Sequence, residues 1–127
     1  MFDYIIMKKL ALSLVLLAWL VVAGCSSSPT TQYSQEVLND FAVCLSEQGV
    51  QMFGDDSCPY CREQKTFFGD AFAQVDYIQC SIQKVQCEVA GITGYPTWKG
   101  PQGQNLQGLQ SLEDLSTAFG CELPAQA

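Results

Sequence analysis

The 127-residue sequence contains no histidine. Histidine is the usual general base near neutral pH and the commonest metal ligand in proteins. Acid–base catalysis by histidine and histidine-bound metal centres are therefore excluded, and we predict neither a metal site nor a cofactor.

Basic residues are scarce: the chain has six lysines and arginines against thirteen aspartates and glutamates, which gives a net charge of −7. A nucleic-acid-binding protein normally carries a basic patch, so no nucleic-acid partner is expected. The acidic surplus is typical of a soluble surface. From residue 26 onward the basic residues are Arg62, Lys65, Lys84 and Lys99.

The chain has one long apolar run, residues 10–23, which directly follows Met7-Lys8-Lys9. Fourteen residues are fewer than the roughly 20 that a membrane-spanning helix needs. A basic start followed by a short apolar run is typical of a secretory signal. We therefore predict a signal peptide over residues 1–24, with Met7 as the natural start.

The apolar run ends in Val22-Ala23-Gly24-Cys25, which resembles the lipobox of bacterial lipoproteins. The resemblance implies that Cys25 becomes the lipidated N-terminus and that the protein is anchored at the periplasmic face of a membrane in the bacterial cell envelope. A plain secretory signal and an uncleaved anchor are the alternatives.

Residues 25–34 are rich in serine, threonine and proline and predict a flexible tether. Residues 35–127 predict one folded domain with the element order α-β-α-β-α-β-β-α, that is, an α/β domain with one small sheet covered by helices. The expected first helix runs from a Ser34 cap to residue 48, and strands are expected at residues 50–53 and 75–80. The apolar face of that helix is expected to hold Val37, Phe41, Cys44 and Leu45.

The motif with the clearest chemistry is Cys58-Pro59-Tyr60-Cys61. Proline suits the first helical turn, so Cys58 is expected at the helix N-terminus, where unpaired N–H groups and the helix dipole stabilise a thiolate. Cys61 lies within one turn, close enough to form a disulfide. We predict that Cys58 is the exposed nucleophile and that Cys61 is the buried resolving thiol, which attacks the mixed disulfide.

A strand, this motif at a helix start and a later Tyr95-Pro96 together resemble the thioredoxin superfamily. The resemblance implies a thioredoxin-like fold with a central mixed β-sheet flanked by helices. It also implies a cis peptide bond before Pro96 and a substrate platform beside the cysteines. Tyr60, Tyr95 and Pro96 are the expected substrate-binding residues.

A narrower resemblance is to the thioredoxin-like domain associated with vitamin K epoxide reductase homologues. It implies exported, cysteine-containing protein substrates and a quinone-linked membrane oxidoreductase of that type as redox partner. The residues that carry it are Met52-Phe53-Gly54, Cys58-Pro59-Tyr60-Cys61, Gln64-Lys65, Phe68-Gly69, Cys80, Cys87 and Gly94-Tyr95-Pro96-Thr97-Trp98.

The chain departs from the wider family at two positions. Ser57 stands where many thioredoxins have tryptophan, and Met52 stands where many have a buried acid that accepts a proton. Asp55, Asp56 and Glu63 are weak substitutes for that acid. The direction of the reaction, oxidation, isomerisation or reduction, therefore stays open.

The remaining cysteines of the folded part predict structural disulfides. A local Cys80–Cys87 bridge would staple one loop, and a Cys44–Cys121 bridge would tie the two ends of the domain. Six cysteines allow 15 pairings, so this pairing is a hypothesis. A buried free Cys44 and a relay from Cys80 and Cys87 to the active pair are the alternatives.

Two other functional classes stay open. A copper(I) carrier would use soft thiolates, with Met52 as the nearest third ligand. A non-catalytic binding module would use the thioredoxin platform only to hold a partner. A zinc half-site is disfavoured because a second pair of ligands is missing, and an inert structural Cys58–Cys61 disulfide is disfavoured by the strand-and-helix context.

Overall fold

The computed structural model describes residues 32–125. The predicted signal peptide, the lipidation site Cys25 and most of the predicted tether lie outside this range. Among the described residues, no helix is both long enough and apolar enough to cross a membrane.

The described part of the chain contains four α-helices, one 3-10 helix and four strands. The helices are Gln35–Glu47 (α1), Pro59–Phe68 (α2), Lys84–Val89 (α3) and Leu112–Phe119 (α4), with the 3-10 helix at Gly69–Gln74. The strands are Gln51–Gly54 (β1), Asp76–Gln79 (β2), Thr97–Lys99 (β3) and Asn105–Gln107 (β4). Apart from the 3-10 helix, this is the predicted order.

The strands form one mixed sheet in the order β2-β1-β3-β4. The central strand β1 runs parallel to β2, with Met52 opposite Tyr77, and antiparallel to β3, with Met52 opposite Trp98. Strand β4 adds to β3 as an antiparallel hairpin. A four-stranded mixed sheet flanked by helices is the thioredoxin-like architecture that the sequence predicted.

Local signals explain where the helices begin and end. The Ser34 hydroxyl accepts the Val37 N–H at 3.3 Å, and the Ser111 hydroxyl accepts the Asp114 N–H at 3.0 Å. A serine at this position satisfies an N–H group that the first helical turn leaves without a partner. Gly120 closes α4 in the left-handed conformation, which glycine adopts without steric cost.

Successive side chains of a strand point to opposite faces of a sheet, and the core is divided accordingly. Met52 lies in the larger cluster with the buried side chains of α1, α2 and α4, whereas its neighbour Phe53 lies in a smaller cluster with Ile78 and Cys87 of α3. Three helices therefore cover one face of the sheet, and the short helix α3 covers the other.

A buried amide fixes α2 against the sheet. The fully buried Gln64 accepts hydrogen bonds from the Trp98 indole at 3.3 Å and the Gln110 N–H at 2.8 Å, and its own amide donates to the Gln110 carbonyl at 3.0 Å. A buried polar group contributes to a unique structure only when it is fully satisfied. Because every buried polar atom of Gln64 has a hydrogen-bond partner, the helix that carries Cys58 and Cys61 has a defined position.

The structure corrects three details of the sequence analysis. The predicted strand 75–80 is two residues shorter, because the Val75 N–H bonds to Phe72 and the chain turns after Gln79. The tether was predicted to extend to residue 34, yet the ring of Tyr33 is buried in the core. The fully buried face of α1 holds Leu38 and Ala42 beside Phe41 and Leu45, whereas Val37 and Cys44 are only partly buried.

Candidate functional site

The two free cysteines among the described residues lie at the N-terminus of α2. Cys58 is the N-cap residue and Pro59 occupies the first turn, as the sequence predicted. The Cys58 sulfur accepts the Cys61 N–H at 3.3 Å. A sulfur in this position faces the positive end of the helix dipole, where negative charge is stabilised.

The two sulfurs differ sharply in solvent access. Cys58 is half-buried, whereas Cys61 is fully buried among core side chains. Burial raises the pKa of the Cys61 thiol to about 12, and the hydrogen bond to Cys58 acts in the same direction. Because the thiolate is the form that attacks a disulfide, the arrangement presents Cys58 to a partner and keeps Cys61 protonated behind it.

Gly54 at the end of β1 makes room for the buried sulfur. A Cβ atom at this position would lie 2.8 Å from the Cys61 Sγ and 3.3 Å from the Tyr77 ring. The contact with the sulfur is shorter than real Cβ atoms show and the contact with the ring is tight, so a side chain here would force the thiol or the backbone to shift. The glycine therefore sets how closely α2 approaches the sheet at Cys61.

The loop before β3 lies against Cys58. The Tyr95-Pro96 peptide bond is cis, as predicted, and the Cys58 thiol points at the Tyr95 carbonyl oxygen at 3.8 Å. Pro96 is buried, whereas 42% of Tyr95 and 60% of Tyr60 remain exposed. Of the three predicted substrate-binding residues, Tyr60 and Tyr95 are therefore at the surface near the half-buried sulfur, whereas Pro96 lies below the surface.

The turn that precedes Cys58 is held by an aspartate. The Asp55 carboxylate accepts the Ser57 N–H at 2.9 Å and also the Ser57 hydroxyl, and the Asp55 carbonyl accepts the Cys58 N–H at 3.0 Å. Hydrogen bonds to the carboxylate, first from the Ser57 side chain and then from the Ser81 side chain, lower the pKa of Asp55 to about 2. Ser57, which stands where many thioredoxins have tryptophan, therefore shapes the start of the helix.

A charged cluster that the sequence analysis did not assemble lies beside the buried thiol. Lys65 of α2 forms an ion pair with Asp56, and the Tyr77 hydroxyl donates to the same carboxylate oxygen at 3.1 Å. The hydrogen bond from Lys65 is the main reason that the pKa of Asp56 is lowered. Burial, and then the bond to Asp56, raises the pKa of Tyr77.

A pattern in the sequence could have revealed part of this cluster. Lys65 lies four residues after Cys61 in a helix, and residues at this spacing share one face. Tyr77 gave no such signal, because its position depends on the parallel pairing of β1 with β2.

The other four described cysteines form two disulfides. Cys44 is bonded to Cys121 and Cys80 to Cys87, which are the two pairs considered from the sequence. Cys80, Cys87 and Cys121 are buried, so these sulfurs are shielded from exchange.

The described residues hold no cluster of three or more histidine, cysteine, aspartate or glutamate side chains suited to a metal ion. Met52, considered above as the third ligand of a copper(I) site, is fully buried in the core. The geometry around the two free thiols is that of a dithiol pair with one accessible sulfur.

Comparison with known proteins agrees with the type of chemistry that this geometry allows. The chain is 33% identical over 72 residues to the thiol-disulfide oxidoreductase LTO1 of Arabidopsis thaliana. The match covers 46% of this chain and 19% of the relative, so the chain spans about a fifth of the length of this relative. No family model matches the chain.

Proposed function

We propose that the protein is a thiol–disulfide oxidoreductase that acts through Cys58 and Cys61 on cysteine-containing proteins of the cell envelope. The observation that carries the proposal is the half-buried Cys58 sulfur, which caps α2 and faces the Tyr95 carbonyl, with Cys61 buried one turn behind it. The name of the Arabidopsis relative supports the same class of reaction.

The reaction has two exchange steps. In the reducing direction, the Cys58 thiolate attacks a substrate disulfide, a Cys58–substrate bond forms, and one substrate sulfur leaves as a thiolate. Cys61 then attacks the Cys58 sulfur, which closes the Cys58–Cys61 disulfide and releases the second substrate thiolate. Oxidation of a substrate dithiol is the reverse sequence.

The surface around Cys58 suits an extended, partly unfolded substrate. Tyr60, two residues after Cys58, and Tyr95, whose carbonyl faces the sulfur, have exposed aromatic rings, and aromatic rings contribute large apolar contact areas. We assign these residues and Pro96 to the substrate platform.

For localisation, we propose that a lipid on Cys25 anchors the domain at the periplasmic face of a bacterial membrane. A quinone-linked membrane oxidoreductase of the vitamin K epoxide reductase type would then exchange electrons with the Cys58–Cys61 pair. The lipobox-like Val22-Ala23-Gly24-Cys25 and the motifs quoted above support this proposal. A mature N-terminal peptide whose mass shows an unmodified Cys25 would reject the anchor.

The test of the function is a trapping experiment with two matched variants. Because Cys61→Ser removes the resolving thiol, it is expected to accumulate mixed disulfides with envelope proteins, visible on non-reducing gels. Cys58→Ser is expected to accumulate none. Accumulation only with Cys58→Ser would reverse the two roles, and accumulation with neither would reject the proposal.

The reduction potential of the Cys58–Cys61 pair decides the direction. A potential of about −120 to −200 mV is typical of oxidases and isomerases, and about −270 mV is typical of thioredoxin reductants. A potential below about −300 mV is typical of structural disulfides and would favour a non-catalytic binding module. A glutathione redox titration of the full chain measures it.

A further inference from the structure

The second exchange step requires Cys61 to lose its proton inside the protein. Cys61 is fully buried, and burial is the main cause of its raised pKa. A buried thiolate is stable only when nearby charges or hydrogen-bond donors compensate for the lost water. The groups around Cys61 therefore determine how fast a mixed disulfide on Cys58 is resolved.

Lys65 is placed to compensate for that charge. It lies one helical turn after Cys61 on the same face of α2, and its side chain is only 27% exposed. Its ammonium group forms an ion pair with the Asp56 carboxylate. The nitrogen also lies 4.1 Å from the centroid of the Tyr77 ring and 5.2 Å from that of the Phe72 ring. A partly buried charge is screened much less than an exposed one.

The Tyr77 side chain lies close to both Lys65 and the Cys61 sulfur. The Cys61 sulfur and the Tyr77 hydroxyl oxygen lie within 2.8 and 3.5 Å, respectively, of the same point, the position of a Cβ atom on Gly54. Lys65 lies over this ring, so its positive charge is close to the buried sulfur. Electrostatic attraction from Lys65 lowers the pKa of Cys61, against the larger effect of burial.

We propose that Lys65, held by Asp56 and Tyr77, stabilises the Cys61 thiolate and thereby sets the rate of the resolving step. The inference rests on the function proposed above. In that step the Cys61 S–H bond breaks and its proton passes to solvent. The sulfur electron pair forms the Cys61–Cys58 bond, the Cys58–substrate bond breaks, and the leaving substrate sulfur takes the electron pair as a thiolate.

The charges that face Cys61 make the direction of the effect clear. The titratable groups near Cys61 come from three elements. Helix α2 contributes Cys58 and Lys65, the preceding loop contributes Asp55 and Asp56, and β2 contributes Tyr77. The Asp55 backbone N–H and Lys65 favour the Cys61 thiolate, whereas Cys58 opposes it. Removing the lysine should therefore move the resolving step to higher pH.

The two steps can be separated in one reaction with a small aromatic disulfide. When the reduced protein reacts with dithiobis-nitrobenzoate, attack by Cys58 releases the first thionitrobenzoate and attack by Cys61 releases the second. Stopped-flow absorbance follows both releases between pH 6 and pH 9. The full chain is used, with Cys25→Ser in every variant, so that only the active pair reacts.

Lys65→Met keeps an apolar side chain of similar length and removes the charge. We expect it to slow the second release at neutral pH by about three- to tenfold, the effect of a neighbouring charge that is partly screened. The pH profile of this release should move upward, whereas the first release stays unchanged. Lys65→Arg keeps the charge and should restore the second release, and Lys84→Met on α3 is the matched control without effect.

Asp56→Asn separates an electrostatic role from a structural one. This variant breaks the same ion pair as Lys65→Met, but it leaves the ammonium on the Tyr77 and Phe72 rings and removes the opposing negative charge. We expect the pH profile of the second release to move downward. If both variants moved it in the same direction, the ion pair would act only as a structural contact and the proposal would be wrong.

The proposal and the function beneath it fail in different ways. If the wild-type protein releases both thionitrobenzoates and Lys65→Met leaves the second unchanged, the role of Lys65 is rejected and the dithiol function stands. If the wild type releases no second thionitrobenzoate, the Cys58–Cys61 exchange itself is rejected.

Discussion

Two cysteine pairs, Cys58/Cys61 and Cys80/Cys87, follow the carboxyl ends of neighbouring strands at the same edge of the sheet. The first pair is free thiols and the second is a disulfide. Strands β1 and β2 are parallel neighbours, so the cysteines that follow their carboxyl ends lie close together. The Cys80 N–H donates to the Gly54 carbonyl at 2.8 Å, which joins the two loops directly. Both pairs are local in sequence, with separations of three residues for Cys58/Cys61 and seven for Cys80/Cys87.

The surroundings of the sulfurs account for the difference. Cys58 caps a helix of ten residues and remains half-buried. Cys80 and Cys87 are 4% and 6% exposed and pack in the small core cluster with Phe53 and Ile78. A sulfur at a helix N-terminus that a second sulfur can reach is in the surroundings expected of a reactive cysteine, and sequence spacing alone does not distinguish the two pairs in this way.

The largest expected effect tests this contrast directly. Cys58→Ser should abolish disulfide exchange, because the accessible nucleophile is lost. The double variant Cys80→Ala/Cys87→Ala should keep most of the activity, because its sulfurs are buried away from substrate. The assay is the rate of reduction of a disulfide-bonded protein substrate by the reduced chain. Loss of exchange in the double variant to the level of Cys58→Ser would mean that the second pair takes part as a relay.

The contribution of each disulfide to the free energy of unfolding should increase with the length of the loop that it closes. In the chain-entropy model, a bridge across 77 residues contributes about 4–5 kcal/mol to the free energy of unfolding and one across seven residues about 2 kcal/mol. Cys44→Ala/Cys121→Ala should therefore destabilise the oxidised protein more than Cys80→Ala/Cys87→Ala. Urea unfolding of both variants and of the wild type measures the difference, and the opposite ranking would contradict the prediction.

The smallest effect concerns Gly54, which contacts both pairs. Its Cβ position lies against the Cys61 sulfur, and its carbonyl accepts the Cys80 N–H. Gly54→Ala would place a methyl group against the Cys61 sulfur, and overpacking of this kind costs about 1–3 kcal/mol of stability. The second thionitrobenzoate release should also slow, because the resolving sulfur is displaced.

A double-mutant cycle supplies the control for Gly54. In a Cys61→Ala background the crowded sulfur is absent, so the stability cost of Gly54→Ala should fall clearly below its cost in the wild type. An equal cost in both backgrounds would show that the methyl group is accommodated elsewhere.

Much of the secondary structure could be predicted because its signals are local. The Ser34 hydroxyl accepts the N–H group three residues later, as expected for the predicted helix cap. The 3-10 helix Gly69–Gln74 was missed, since Gly69 ends α2 and no periodic pattern follows it. Tyr33 was assigned to the tether by composition, although an aromatic ring next to a helix start can be buried by the core it meets.

The sequence by itself determined that Cys58 and Cys61 share one helical turn at a helix N-terminus, because Pro59 and the two-residue spacing act within a few residues. It also determined the absence of histidine and the acidic charge. Only the tertiary structure decided that the Tyr95 carbonyl faces Cys58, that Gly54 leaves space for the Cys61 sulfur, and that Lys65 meets Tyr77 beside it. These contacts join residues far apart in the chain, so they exist only once strand pairing and helix packing have brought the backbone together.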